Sequence, residues 1–131
     1  AGSGPTVIGV GPVTTPLIEL CREDDIAKNI DLWTLCELPT SLEEFPPELL
    51  MRLRSKGDLV ILEEHVSSGS FGERIASELL ENQIAPRRFG ALHAKGYPSG
   101  KYGSQAYHRT ENGISAAAVR ELLTQWKNDG T

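Results

Sequence analysis

Short apolar runs alternate along the chain with stretches in which apolar residues recur every three or four positions. The runs predict strands and the spaced stretches predict amphipathic helices, an alternation typical of βαβ units around a mainly parallel sheet. Strands are predicted over residues 6–10, 30–36, 58–64 and 87–94. The third has a continuous apolar centre at residues 59–62, which favours a strand covered on both faces. The sequence therefore predicts an α/β fold.

Helix starts at both ends of the chain are marked by hydroxyl side chains. Thr14 or Thr15 can cap a first helix, because Pro16 suits a first turn whose N–H groups have no helical partner. Ser115 is a good cap for the closing helix. The apolar stripe of that closing helix comprises Val119, Leu122, Leu123 and Trp126.

A capping-box pattern, Ser41 with Glu44, predicts a helix start after the second strand. Two consecutive prolines interrupt this segment, since proline cannot continue a helix interior. A new helix is therefore expected over residues 47–56, with Gly57 as its stop.

The composition is that of one soluble domain covering all 131 residues, with 39% hydrophobic and 24% charged residues. The net charge of −5 argues against a nucleic-acid partner, because affinity for phosphate backbones comes largely from clustered Lys and Arg. The densest basic spots are Arg87-Arg88 and the group of Arg52, Arg54 and Lys56. We interpret both as solvated edges of secondary structure.

Cys21 and Cys36 are expected to be reduced, partly buried thiols, which indicates a cytoplasmic protein. The three histidines are too far apart in sequence to predict a metal site. No apolar run reaches the ~20 residues that cross a bilayer, and no signal-peptide pattern is visible. The opening residues 1–4, AGSG, suggest a trimmed or excised chain rather than a natural start.

Gly9-Val10-Gly11-Pro12 lies between the first strand and the first helix, where backbone N–H groups can bind phosphate. Thr14 stands where the third glycine of a dinucleotide-binding motif would be, and no P-loop lysine follows. A tight strand-to-helix turn is the better explanation.

Residues 63–73 carry the strongest functional signal. Glu63, Glu64 and His65 lie at the carboxyl end of a predicted central strand, where open α/β sheets have their binding crevices. In one interpretation His65 is an acid/base or substrate-binding group tuned by the carboxylates. In the other, the three residues form a hydrogen-bonded junction that anchors the following loop. The residues alone leave both open.

A second capping box, Ser70 with Glu73, predicts that a helix begins directly after this loop. The amino terminus of a helix favours anions, and Gly69 and Gly72 allow close approach of a ligand, a helix or another subunit. Phe71 is expected to face the sheet.

The segments 58–80 (DLVILEEHVSSGSFGERIASELL) and 111–123 (ENGISAAAVRELL) resemble the C-terminal domain of the transketolase-like thiamine diphosphate enzymes. The upstream segments TVIGVGPVTTPLIEL and IDLWTLCELPTSLEE fit the same order of elements. The resemblance spans nearly the whole chain and rests on the order and spacing of its motifs. It implies a three-layer α/β/α sandwich with a mostly parallel sheet.

In that family, which includes transketolases, 1-deoxyxylulose 5-phosphate synthases and 2-oxo acid dehydrogenase beta subunits, thiamine diphosphate and Mg are bound by other domains at a dimer interface. The resemblance thus implies a domain or subunit that supports a homodimer or hetero-oligomer and borders the substrate entrance for ketol transfer on sugar phosphates. It implies no cofactor in this chain alone, which lacks the family's GDG-type motif. His65 is the substrate-proximal candidate, and residues 63, 64 and 69–72 are assigned to the interface or to anion binding.

Two other functions remain open. One is a 2-oxo acid dehydrogenase beta-subunit domain that docks an acyltransferase. The other is an independent small-ligand binding or interaction domain, since a fold does not determine function.

Residues 95–112 form a long predicted loop rich in tyrosine, glycine and charge. The resemblance implies a simpler connector at this point. Loops of that size are usually functional or disordered. The sequence is equally compatible with two interpretations. In one, the loop contacts a substrate phosphate or a neighbouring subunit; in the other, it is a plain surface loop. The candidate contact residues are Lys101, Tyr102, Gln105, His108 and Arg109.

Overall fold

A computed structural model describes residues 4–25, 27–36, 41–66, 71–94 and 115–129, with residues 65, 66 and 94 given by backbone alone. Its strands are β1 (Thr6–Val10), β2 (Asp31–Leu35), β3 (Asp58–Val66) and β4 (Arg88–Ala94). Its helices are α1 (Thr15–Glu23), α2 (Pro47–Arg54), α3 (Phe71–Glu81) and α4 (Ala116–Asp129). Short 3₁₀ helices cover Gly11–Thr14 and Leu42–Glu44.

The four described strands form one sheet in the order β2-β1-β3-β4, and every pair is parallel. In register, Ile8 of β1 lies between Trp33 of β2 and Ile61 of β3. Parallel neighbours need crossover connections, and helices α1, α2 and α3 lie in the three segments that link successive strands. This sheet confirms the predicted α/β class.

Apolar side chains are buried on both faces of the sheet, which makes the fold a three-layer α/β/α sandwich. On one face α2 and α3 pack over a core that includes Ile8, Leu49, Leu59, Ile61, Phe71, Ile75 and Leu79. On the other, α1 and α4 pack over a core that includes Val7, Val13, Leu17, Val60, Leu62, Val119 and Leu123. Residues 59–62 alternate between these two cores, as expected for a strand covered on both sides.

Ser41 does not cap an α-helix, so the first capping-box prediction was wrong. Only a 3₁₀ helix of three residues follows Ser41, whose side chain makes no capping hydrogen bond. The two prolines that come next prevent the helix from continuing, so there is no long helix start to cap. The predicted stop was also displaced: α2 ends at Arg54, and the left-handed residue after it is Lys56 (φ 60°), not Gly57.

Two other residues predicted as caps, Ser115 and Thr14, behave differently from each other. Ser115 Oγ accepts a hydrogen bond from the Ala118 N–H at 3.1 Å, which confirms it as the cap of α4. The Thr14 hydroxyl instead donates to the Gly11 carbonyl oxygen at 2.8 Å and makes no capping bond to α1. Thr14 therefore closes the turn that precedes the helix.

Strand β3 is longer than predicted and continues to Val66, so His65 belongs to the strand and not to the loop after it. The pairing of β3 with β4 shifts register between Leu62 and Val66. The end of β3 that carries the acidic pair is thus an irregular strand end, a feature common beside functional sites.

Candidate functional site

The carboxyl ends of β1 and β3 lie side by side at the centre of the sheet. The chain leaves β1 toward β2 through α1 on one face, and leaves β3 toward β4 through α3 on the other face. This reversal of direction is a topological switch point, where open α/β sheets bind their ligands. The fold therefore brings the turn after β1 and the Glu63–His65 triplet to the same edge.

The turn after β1 fills the β1 side of this edge. Val13 and Thr14 are almost fully buried. A Cβ atom added to Gly9 would lie 1.7 Å from Thr14 Cγ2, so only glycine lets the turn fold back this closely. Gly11 has φ +76°, a left-handed conformation that favours glycine because glycine has no Cβ atom. These contacts explain both glycines as parts of a tight strand-to-helix turn, which was the favoured interpretation.

On the β3 side, the carboxylate of Glu63 is buried, with 3% of the residue exposed. Its Oε2 accepts a hydrogen bond from the Phe71 N–H at 3.1 Å, and its Oε1 accepts one from the Gly72 N–H at 2.9 Å. Both donors belong to the first turn of α3, whose N–H groups have no partners within the helix. Glu63 therefore joins the end of β3 to the start of α3, as the anchoring interpretation expects.

Gly72 lets α3 approach the sheet at this junction. A Cβ atom at Gly72 would lie 3.2 Å from Glu63 Oε1, 3.5 Å from Ala91 Cβ and 3.6 Å from Ile61 Cγ2. Phe71, beside it, is buried and packs near the ring of Phe45, with 6.3 Å between the ring centroids. Both residues thus contribute to packing against the sheet, as predicted for Phe71.

Glu64 is half-buried at the same edge, one residue beyond Glu63, and His65 follows it in the strand. The structure brings these residues to the switch point. Of the remaining predicted site residues, Gly69 and Ser70 lie outside the described residues, as do five from the long loop: Lys101, Tyr102, Gln105, His108 and Arg109. Their assignments stay predictions.

The opposite, amino edge of the sheet carries two buried aspartates that the sequence analysis missed. Asp58 accepts two hydrogen bonds from Arg87, at 2.9 and 2.6 Å. Asp31 accepts hydrogen bonds from Trp33 Nε1 at 2.8 Å and from Arg52 Nε at 3.1 Å. The basic groups interpreted as solvated edges therefore contain arginines that neutralise buried carboxylates.

The guanidinium of Arg87 also stabilises the charged form of Asp58. Its hydrogen bonds hold the pKa of the Asp58 carboxyl below the ordinary value, although burial alone would raise it. Arg88 adds a weaker contact, with its Nε 3.9 Å from Asp58 Oδ1, and lies over the Trp126 ring. Asp58 is thus a structural anion far from the switch point.

The two thiols differ in exposure. Cys21 is half-buried, and desolvation raises the pKa of its thiol, which lowers its thiolate fraction. Cys36 is exposed, contrary to the expectation that both thiols are partly buried, because it follows the last residue of β2 at the strand end. Both are free thiols, as predicted.

Within the described residues, no group of three or more His, Cys, Asp and Glu side chains is arranged to hold a metal ion. In the same part of the chain, no helix has the length and apolar character needed to cross a membrane.

Comparisons with known proteins find similarity in structure alone. No protein-family model matches the sequence, and no curated protein matches it. Among solved structures, a chain described as a split-gene transketolase in an inactive beta4 tetramer superimposes with a TM-score of 0.72 and 19% sequence identity. The match covers 95% of this chain but 39% of that chain. At this identity the comparison shows the fold, which is therefore transketolase-like.

Proposed function

We propose that this chain is the C-terminal domain or subunit of a transketolase-like thiamine diphosphate enzyme, and that it acts only when assembled. It supports the dimer and borders the substrate entrance for two-carbon ketol transfer on sugar phosphates. The observation that carries this proposal is the structural match to part of a chain described as a split-gene transketolase. The switch-point placement of Glu64 and His65 agrees with it.

The cofactor belongs to the partner in this proposal. Thiamine diphosphate supplies a stabilised carbanion when bound, and the protein supplies binding, orientation and electrostatics. The chain lacks a GDG-type motif, and its described residues offer no cluster of metal ligands. In this proposal other domains or subunits hold thiamine diphosphate and Mg, and this chain shapes the access route.

Reconstitution tests the proposed function directly. The chain alone is expected to show no ketol transfer, whereas mixing it with the cofactor-carrying subunit is expected to give a stable complex and to restore transfer from a ketose phosphate to an aldose phosphate. Size-exclusion chromatography measures the complex and a coupled assay measures the activity. The cofactor-carrying subunit alone is the control.

Three results would contradict the proposal. Full activity of the cofactor-carrying subunit alone would make this chain dispensable. Selective binding to an acyltransferase subunit would favour the 2-oxo acid dehydrogenase function. Tight, saturable binding of a metabolite by the isolated chain, without any partner, would favour an independent ligand-binding domain.

His65 is the residue that we place closest to the substrate. In the reconstituted enzyme, His65→Ala is expected to lower kcat/KM by about tenfold to a hundredfold, because positioned acid/base groups commonly contribute at least that much. The thermal midpoint should stay unchanged. His93→Ala removes an imidazole from the carboxyl end of the neighbouring strand β4 and is the comparison: an equal loss there would show a general sensitivity of this sheet edge and not a role specific to His65. Unchanged kinetics for His65→Ala would remove His65 from the site.

The loop residues Lys101, Tyr102, Gln105, His108 and Arg109 are a second part of the proposal. Their positive and hydrogen-bonding groups suit a substrate phosphate or an acidic surface of a neighbouring subunit.

A further inference from the structure

Glu63 and Glu64 are adjacent acidic residues with different surroundings. Glu63 is buried and uses both carboxylate oxygens as acceptors for the first-turn N–H groups of α3. Glu64 is half-buried. The pair therefore does not act as one acidic unit, and each residue needs its own explanation.

The start of α3 compensates the buried carboxylate of Glu63 for its lost hydration. An uncompensated buried charge is very unfavourable, whereas hydrogen bonds from two backbone N–H groups and the positive end of a helix dipole offset that cost. Glutamine at this position would keep the shape, but only one of its two terminal groups can accept a hydrogen bond. The geometry thus calls for two acceptor oxygens at this position, which a carboxylate supplies and an amide of the same size does not.

We propose that Glu63 is a positioning residue: its carboxylate fixes the start of α3 against the end of β3 and thereby sets the position of Glu64 and His65 at the switch point. The bonds join positions eight and nine residues apart along the chain. Together with the backbone from Glu63 to Phe71, these hydrogen bonds close a ring. The strand end that carries Glu64 and His65 is therefore held relative to the helix. The link to catalysis rests on the proposed function, but the ring itself does not.

The same contacts show that the start of α3 is already occupied by a carboxylate of the protein itself, that of Glu63. The N–H groups of Phe71 and Gly72 already donate to Glu63, so a substrate phosphate would have to displace that carboxylate to use them. Recognition of a phosphate at the substrate entrance is therefore expected to come from other groups.

Amide hydrogen exchange in the isolated chain tests the ring. Glu63→Gln is expected to speed exchange at the Phe71 and Gly72 N–H groups by about tenfold to a hundredfold, the range for losing a hydrogen bond to a charged acceptor. Amides in the centre of β3 should change less than these two. Glu81→Gln, the same chemical change at an exposed position of α3, is the control and should leave both amides unchanged. Unchanged exchange in Glu63→Gln would overturn the ring.

Glu63→Ala provides a second, independent test. It removes the carboxylate and leaves room for a small anion, so formate is expected to slow exchange at Phe71 and Gly72 again, whereas chloride at equal ionic strength is not. A failure of formate to restore protection in a folded variant would show that packing, and not an ionised acceptor, holds the helix start.

Kinetics of the reconstituted enzyme test the positioning role. Glu63→Gln is expected to lower kcat for ketol transfer about tenfold, with formate partly restoring the activity of Glu63→Ala. Altered exchange with unchanged kinetics would overturn the positioning role and leave a structural ring. If the wild-type chain itself failed to support ketol transfer, the proposed function would fail, while the exchange results would still decide the ring.

Discussion

Replacing Gly9 with alanine is expected to lower the free energy of unfolding by about 3 kcal/mol, the upper part of the range for overpacking a filled interior. The new Cβ would lie 1.7 Å from Thr14 Cγ2 and 3.1 Å from Thr14 Cβ. Thr14 cannot simply turn away, because it is buried and its hydroxyl donates to the Gly11 carbonyl. The turn would therefore have to move off the sheet edge. Chemical denaturation measures the loss.

Two further variants isolate this contact. Thr14→Ser keeps the hydroxyl but removes the clashing methyl, at an expected cost of about 1 kcal/mol for a buried methyl group. The double variant should recover part of the loss caused by Gly9→Ala, with a coupling of about 1 kcal/mol or more. Gly57→Ala is the matched control: its Cβ would meet nothing closer than Ser55 Oγ at 3.9 Å. Equal destabilisation by Gly9→Ala and Gly57→Ala would contradict the explanation by close approach.

The sheet could be predicted from the sequence because its signals are local. Strand β1 has the predicted bounds. The unbroken apolar run at residues 59–62 correctly predicted a strand, β3, that is covered on both faces. Ser115 could be recognised as a cap because its acceptor lies three residues from the N–H that it binds. Ser41 shows the limit of a local motif, since its capping pattern was overridden by two prolines a few residues later.

The polar contacts of the fold could not be predicted in the same way, because they join distant positions. The bonds of Glu63 to α3 span eight and nine residues, and depend on how closely Gly72 lets the helix approach the sheet. Asp58 and Arg87 are 29 residues apart and meet only because β3 and β4 are parallel neighbours. The sequence shows an acidic residue at each place, but not whether a ligand or the protein itself neutralises it.

The ion pair between Asp58 and Arg87 gives the second large expected effect. Asp58→Asn should lower the free energy of unfolding at pH 7 by about 2 kcal/mol, because it removes a charged acceptor from two hydrogen bonds and leaves the arginine without its counter-charge. The Asp58 side chain is 6% exposed, but the Arg87 side chain is 61% exposed. Water therefore screens the pair, and we expect less than the 3–5 kcal/mol typical of breaking a fully buried pair.

The pH dependence follows from the lowered pKa of Asp58, which Arg87 causes. In the unfolded chain an aspartate has a pKa of about 3.9, and in the folded protein the pKa lies below that value. The stabilisation is therefore fully present above about pH 4 and is lost as the pH falls through the folded pKa. Unfolding of wild type and Asp58→Asn at pH 7, 5 and 3 should show a difference that is constant from 7 to 5 and smaller at 3.

Asp25→Asn tests whether the stabilisation by the Asp58–Arg87 ion pair depends on the burial of the aspartate or on the pairing alone. Lys28 Nζ lies 2.8 Å from Asp25 Oδ1, close to the 2.6 Å between Arg87 and Asp58, but the Asp25 side chain is 94% exposed. Exposed pairs of this kind contribute little, so Asp25→Asn should leave the free energy of unfolding unchanged within error at every pH. If instead the two variants lost the same stability, distance alone would set the strength of the pair. If the Asp58→Asn difference persisted undiminished at pH 3, the stabilisation would come from the shape of the side chain and not from its charge.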